Sequence, residues 1–546
     1  MSSGWPRPIS RRRTARSASS RPPPARRDNR SPTMKNAWTM RIALVLTCMT
    51  LMAEAGWSQV TAPPTTVKKK AVSKKEASPK AGAKKAPAAP ERVPAYRQLE
   101  YPKLRDIQVP EVQRLTLPNG MQLFVLEDHE LPLIHMSALI RTGSIYEPAD
   151  QIGLAGLTGT VMRTGGTTTR TGDQIDEQLE QIAASVETGI GASFGRASMS
   201  VLKEDVDAGL AVLADVLMNP AFRQDKIDLA KISARSAIAR RNDNPGAIAS
   251  REYAKLIYGP DSVYARHAEY ATIDNITRDD LVAFHRRFFH PNQVMLAVWG
   301  DFESKEIVAK IQAAFQDWPK AEVKLPPVPD VPYEFRSTVN AVRKDDMSQS
   351  IIRMGHVGGL MSDPDYHALM VMNEILGGGF TSRLFRNVRS RQGLAYSVGG
   401  AYGSDFDRPG MFFLSCQTKL DSTVHAIEAI LGEVRKMTQA EVTTEELTLA
   451  KDAYLNSFVF NFDSKGQIIN RLMTYAYYGY PADFLQKTKE NVEKVTKADV
   501  LRAAREHLRP DKVQILVVGR PDNLDKPLST LGEIRTLDIT IPPPSQ

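Results

Sequence analysis

Two stretches of the chain repeat one plan at a fixed distance. IDNITRDDLVAFHRRFFHPNQVMLAVWG, residues 273–300, aligns with VEKVTKADVLRAAREHLRPDKVQILVVG, residues 492–519. Thr277 pairs with Thr496, Pro291 with Pro510 and Gly300 with Gly519. In each copy a Thr caps a helix whose first turn holds an Asp. The helix ends before Pro, and an apolar run closed by Gly reads as a buried strand. Self-similarity over such a distance restricts the chain to a duplicated fold.

The starts of the two halves support the same reading. RLTLPNGMQLFVLED is strand, Asn-Gly turn, strand, a strong hairpin signal. LPLIHMSALIRTGS follows as another strand, and SQSIIRMGHVGG takes that place in the second half. Helical periodicity is expected over 173–186, 203–217 and 225–241, then over 364–377, 422–438 and 443–459. Prolines exclude regular structure between the halves. The expected fold is α+β: two similar domains, 101–318 and 336–526, each a mainly antiparallel sheet with helices packed on one face. A Pro-rich linker at 319–335 joins them, and 527–546 reads as a tail.

The net charge of +9 is unevenly distributed. Residues 1–33 carry +8, residues 34–59 carry +1 and residues 60–90 carry +7, which leaves −7 for everything beyond. A nucleic-acid binder needs a basic face on its folded part, and this folded part is acidic. Residues 1–33 have a disordered composition ahead of Met34, which reads as the start of translation. Residues 34–55 have the basic region, apolar run and Ala53-Glu54-Ala55 cleavage pattern of a secretory signal peptide, and the run is short for a membrane span. The expected location is periplasmic or secreted, with an uncleaved tether as the alternative. Residues 56–100 are an Ala/Lys/Pro linker. Cys48 lies in the leader, so Cys416 has no expected disulfide partner.

Four features together resemble the pitrilysin, insulinase and processing-peptidase family: the LPNGMQLFVLED hairpin, the GLA…GGT helix at 153–167, LGGGFTSRLFRNVRSRQGLAYSV at 376–398, and the paired endings. The likeness runs from about residue 105 to about 525. Active members carry H-x-x-E-H on the helix after Gly-Leu-Ala. Two His one helical turn apart can hold one Zn²⁺, and the Glu can act as base on the metal-bound water. Here those positions are Gly156, Gly159 and Thr160. The resemblance implies a third ligand on a later helix, and residues 229–242 contain no carboxylate. No two of the nine His are three or four apart. His285 and His290, five apart, read as helix-surface residues. Glycines within a helix are costly, about 1 kcal/mol each relative to Ala, and small residues at the ligand positions are expected to leave open room.

The second half keeps what the first lacks. In RSRQGLAYSV, Arg389 and Tyr396 match the family's Arg and Tyr that hold the substrate peptide and polarise its scissile carbonyl. Arg offers a fixed fork of donors, and a Tyr hydroxyl can hydrogen-bond a developing oxyanion. The triple Gly at 377–379 lacks the Gly-Lys-Ser/Thr of a phosphate loop. The resemblance thus implies a non-catalytic, substrate-binding subunit that binds no cofactor of its own. Zinc would sit on a homologous peptidase partner, and unfolded peptides would be the substrate. A structural or peptide-holding homologue without peptidase role is the alternative.

Overall fold

A computed structural model of the chain describes residues 109–544. The extension at 1–33, the leader with Cys48 and the linker at 56–100 lie outside the described residues. The hairpin forms as its sequence requires. β1 (Gln113–Thr116) and β2 (Gln122–Glu127) pair antiparallel. Between them Gly120 takes φ +90, a conformation open to glycine, and the Asn119 side chain accepts from the Met121 N–H at 3.2 Å.

The first sheet adds β3 (Leu133–Ile140), β4 (Ser185–Ile190), β5 (Gly195–Leu202) and β6 (Val294–Gly300), in the order β1-β2-β6-β3-β5-β4. Only β2 and β6 run parallel. The second sheet contains β7 (Thr338–Arg343), β8 (Gln349–Val357), β10 (Ser397–Tyr402), β12 (Met411–Lys419), β13 (Gln514–Gly519) and β14 (Ile534–Thr536), ordered β14-β7-β13-β8-β12-β10. Two short strands, β9 (Gly359–Leu360) and β11 (Ser404–Asp405), pair beside it. From β2 to β4 and from β7 to β10 the two sheets match strand for strand, including the parallel pair β7–β13. The edge strands β4 and β10 are therefore equivalent.

The first half contains α1 (Leu154–Thr164), α2 (Gly172–Gln181), α3 (Val206–Met218), α4 (Gln224–Ala239), α5 (Pro245–Tyr258), α6 (Tyr270–Asp274), α7 (Arg278–Phe288) and α8 (Ser304–Ala314). The second contains α9 (Tyr366–Leu376), α10 (Thr423–Gln439), α11 (Thr444–Ser457), α12 (Lys465–Tyr478), α13 (Phe484–Lys494) and α14 (Lys497–His507). The duplicated helices α7 and α14 both begin with capping boxes, Thr277 with Asp280 and Thr496 with Asp499. Each box satisfies two N–H groups that a helix start leaves unpaired. Among the described residues no helix is long and apolar enough to cross a membrane.

Both faces of each sheet are buried, which is why β6 and β13 are apolar almost throughout. On β2, Leu123 and Val125 point into the large first-half core, while Phe124 and Leu126 point the other way. The helix covering that second face comes from the other half. Ile469, Met473 and Tyr477 of α12 pack on Phe124, Leu126, Leu139, Met295 and Ala297. The exchange is reciprocal: Ile248, Ala249 and Tyr253 of α5 pack on Val342, Leu516 and Val518 of the second sheet. The Tyr253 hydroxyl donates to the Phe412 carbonyl at 2.8 Å, and the Tyr477 hydroxyl donates to the Ser193 carbonyl at 2.7 Å. Each sheet therefore has its own helices on one face and a single helix of its twin on the other.

Several sequence expectations need correction. The helix expected over 173–186 stops at Gln181; Ala183 takes φ +48, and Ser185 and Val186 open the edge strand β4. The segment read as a tail supplies β14, which extends the second sheet beside β7. His285 is buried rather than on a helix surface: its ring stacks on Phe289 at 4.8 Å and its Nε2 lies 2.9 Å from the Leu217 carbonyl. Burial lowers its pKa to about 4, so it is neutral. Residues 318–337 hold neither helix nor strand, yet Trp318, Val323 and Leu325 pack onto the first-half core.

Candidate functional site

The helix at the zinc-motif position is α1. A carboxylate holds its N-terminus: Glu147 accepts from the Ala155 N–H at 2.6 Å and the Gly153 N–H at 3.2 Å. Burial pushes the Glu147 carboxyl above its ordinary range, and these two N–H groups pull against that shift. Sequence reasoning missed Glu147, because its bonds fix it only through a loop fold.

The three motif positions behave differently. Gly156 and Thr160 lie one turn apart on the exposed face of α1. A Cβ at Gly156 would meet nothing within 4 Å, so the expected open room is present there. At Gly159 it is absent. A Cβ there would lie 2.5 Å from the Ile190 nitrogen and 2.8 Å from the Gly189 carbonyl carbon. The helix rests directly on the backbone of edge strand β4, and the Thr188 hydroxyl donates to the Gly159 carbonyl at 2.6 Å. A glutamate at this position would displace the strand. The same alanine substitution should therefore act in opposite directions at the two glycines. Gly156→Ala is expected to raise stability by about 1 kcal/mol, the helix-propensity difference. Gly159→Ala is expected to lower it by about 1–3 kcal/mol through overpacking. Urea denaturation of both variants would check the pair, and equal shifts would exclude the close approach.

Opposite Gly156 and Thr160 lies α4. The helix starts at Gln224, earlier than the 229–242 stretch considered from sequence, and so includes Asp225 and Asp228. Asp228 accepts from the Gln224 amide at 2.8 Å. The face of α4 toward α1 presents Leu229, Ala230, Ser233, Ala234 and Ala237. Between the helices is a cavity of about 810 Å³. Two of its lining residues could ligate metal, Asp176 and His267. Asp176 is paired with Arg163 at 2.6 Å, and His267 with Glu269 at 3.2 Å.

In the second half, Arg389 sits on a π-helical segment, Leu384–Arg391. Such segments are rare and recur at functional sites. Its guanidinium stacks on Phe385 at 4.6 Å, and Phe385 meets Phe380 edge-on at 4.8 Å. The segment is anchored by Arg383, which gives two bonds of 2.8 and 2.9 Å to Glu446 at the start of α11. The Arg383 guanidinium holds the Glu446 carboxyl down at about 2. Tyr396 immediately precedes β10; its N–H donates to the Gln417 carbonyl at 2.8 Å and its side chain is 70% exposed. Tyr396 thus stands at the start of edge strand β10, the counterpart of the strand against which Gly159 lies, and the π-helical segment that carries Arg389 packs beside that strand.

Residues 126–258 match the family described as Insulinase (Peptidase family M16), and residues 275–454 match Peptidase M16 inactive domain. The chain belongs to peptidase family M16. This M16 chain is similar to the crystal structure of a peptidase M16 inactive domain from Pseudomonas fluorescens, 25% identical with a TM-score of 0.69, over 76% of this chain and 99% of that one. A protein of Rickettsia felis called an uncharacterized zinc protease is 25% identical over 338 residues, 61% of this chain and 80% of its own length. A protein of Helicobacter pylori called non-peptidase homolog YmxG is 23% identical over 72% of this chain and 90% of its own length.

Zinc, implied by the family, does not fit the M16 motif positions of this chain. Gly156, Gly159 and Thr160 supply neither imidazole nor carboxylate, and neither do the facing residues of α4, which are Lys, Leu, Ala, Ser and Ile. Among the described residues one group of three potential ligands lies together elsewhere: Asp363, Asp365 and His507. There Arg502 is 2.6 Å from Asp365 and His507 is 3.0 Å from it, an ion-paired tie between the start of α9 and the end of α14. Cys416 is buried and free, and burial pushes its thiol up to about 12, outside the range of a thiolate ligand at neutral pH.

Proposed function

We propose that this chain is the non-catalytic, peptide-binding subunit of a heteromeric M16 peptidase, whose zinc is carried by a second, homologous chain. One contrast carries the reading. The metal-motif positions hold Gly156, Gly159 and Thr160, with strand backbone packed onto the middle one, while the second half keeps Arg389 and an exposed Tyr396 at the start of its own edge strand. A Tyr hydroxyl and a guanidinium can hold a peptide and stabilise charge developing on its carbonyl without any metal of their own. The signal-peptide composition of residues 34–55 supports a location outside the cytoplasm, in the periplasm or beyond.

The test is reconstitution. The purified chain, dialysed against metal-free buffer, is expected to hold far less than one zinc per chain by elemental analysis, and to leave an unfolded peptide intact. Mixed with an H-x-x-E-H homologue from the same genome, it is expected to form a complex that cleaves the peptide faster than the homologue alone. One zinc per chain would overturn the reading. The likeness to the H. pylori non-peptidase homolog favours a second reading: a structural or peptide-holding protein. Complex formation without any gain in cleavage would select it.

A further inference from the structure

The segment that carries Arg389 has a backbone that needs holding. Leu384–Arg391 is π-helical, and the Gln392 N–H reaches back five residues to the Asn387 carbonyl at 3.3 Å. Such turns are rare and short, and the α-helix is the default for a stretch of this kind. Leu384 and Val388 fix one side of the segment by complete burial. Its start is fixed by a single carboxylate. Glu446 accepts from Arg383 Nε at 2.8 Å and Arg383 Nη2 at 2.9 Å, and more distantly from Arg386 Nη2 at 3.4 Å. Arg383 and Glu446 are each 12% exposed, and a guanidinium held by two parallel bonds is fixed in direction as well as distance.

Glu446 is itself held. It is the third residue of α11, where its carboxylate accepts from the Thr443 N–H at 2.9 Å and its own N–H donates to the Thr443 hydroxyl at 3.1 Å. This capping box ties the carboxylate to the start of a helix, so it cannot follow the π-helical segment if that segment shifts. Arg389 is bound much more loosely. Among the described residues its guanidinium makes no ion pair and rests on the Phe385 ring at 4.6 Å. Phe385 lies in sequence between Arg383 and Arg386, the two residues that Glu446 binds. The ring that supports Arg389 therefore belongs to the stretch that Glu446 fixes.

We propose that Glu446 is a positioning residue for Arg389: by binding Arg383 and Arg386 on either side of Phe385, it fixes the turn on which the Arg389 guanidinium rests. The inference deepens the subunit role proposed above and rests on it. Glu446 acts through Arg383 and Phe385 and touches no peptide. Its effect on cleavage comes from geometry, because a misplacement of about 1 Å at a reacting centre costs about a hundredfold in rate.

Glu446→Gln tests it directly, because Gln also serves in a capping box and α11 keeps its start. In the reconstituted pair this variant is expected to lower kcat about tenfold or more and to move KM by about twofold or less, the pattern of an interaction made in the transition state. Arg383→Lys, which keeps the charge and loses the fork, is expected to do the same. Glu428→Gln, which breaks the surface pair with Lys526, is not. In an Arg389→Ala background Glu446→Gln is expected to have no further effect, since it has nothing left to position; a general loss of stability would lower the rate again. Hydrogen exchange of the full chain alone supplies a readout free of the partner. Amides 384–394 are expected to exchange about tenfold faster in Glu446→Gln, with those of α5 unchanged. A kcat within about twofold of the unaltered pair, an undiminished loss in the Arg389→Ala background, or unchanged exchange at 384–394 would each overturn the positioning role. The two readings fail separately. Cleavage by the unaltered pair with no loss in Glu446→Gln sinks only the positioning role. No cleavage by the unaltered pair, with faster exchange in Glu446→Gln, sinks only the subunit role.

Discussion

Tyr396→Phe is expected to lower peptide cleavage by the reconstituted pair by about a hundredfold, the effect of removing one donor to a developing oxyanion, while leaving the pair assembled. The geometry makes this a clean substitution. The backbone of Tyr396 is pinned to Gln417 at the start of the β10–β12 ladder, but 70% of the residue is exposed. Removing its hydroxyl disturbs no packing within the chain. Arg389→Ala should act similarly on cleavage, with a small added loss of stability from its stacking on Phe385. Arg389→Lys separates charge from geometry: lysine keeps the charge and loses the planar fork, so a partial rate indicates charge and a rate as low as that of alanine indicates the fork. The measurement is initial rate against an unfolded peptide, with complex formation followed by size-exclusion chromatography. Full activity in Tyr396→Phe and Arg389→Ala together would remove both residues from the chemistry.

The second large effect concerns the exchanged helices. Residues 105–330 and 331–546, produced separately, are each expected to be insoluble or to lack cooperative unfolding; produced together, they should reassemble. Without α12 the first sheet exposes Phe124, Leu126, Leu139 and Met295. Burying each such side chain contributes about 1.5–3 kcal/mol, together about 6–12. That equals the whole net stability of an ordinary domain, about 5–15 kcal/mol. The second sheet loses α5 in the same way. A single sharp unfolding transition from either half alone would show that the exchange is incidental.

Much of this protein could be read from local sequence. The Thr277 and Thr496 caps, the Asn119-Gly120 hairpin and the apolar β6 and β13 strands arise from interactions within a few residues, so the sequence carries their signals directly. That the zinc-motif positions hold no imidazole or carboxylate was equally legible, because the identities of Gly156, Gly159 and Thr160 are read directly from the chain. What failed was whatever depends on distant partners. Ser185 and Val186 continued a helical pattern, but pairing with β5 made them strand. His285 looked like a surface residue until Leu217 and Phe289 closed over it.

The sequence by itself determined the duplication, the capped helices and buried strands within it, and the lack of imidazole and carboxylate at the zinc-motif positions of the first half. Only the tertiary structure decided that each half covers the other's sheet, that Gly159 is pressed onto strand backbone while Gly156 opens onto a cavity, and that Arg241 and His267 both converge on Glu269. The physical reason is range. Capping and period-2 alternation act over a few residues, whereas burial and packing join residues hundreds of positions apart, and no local pattern records which side chain will arrive there.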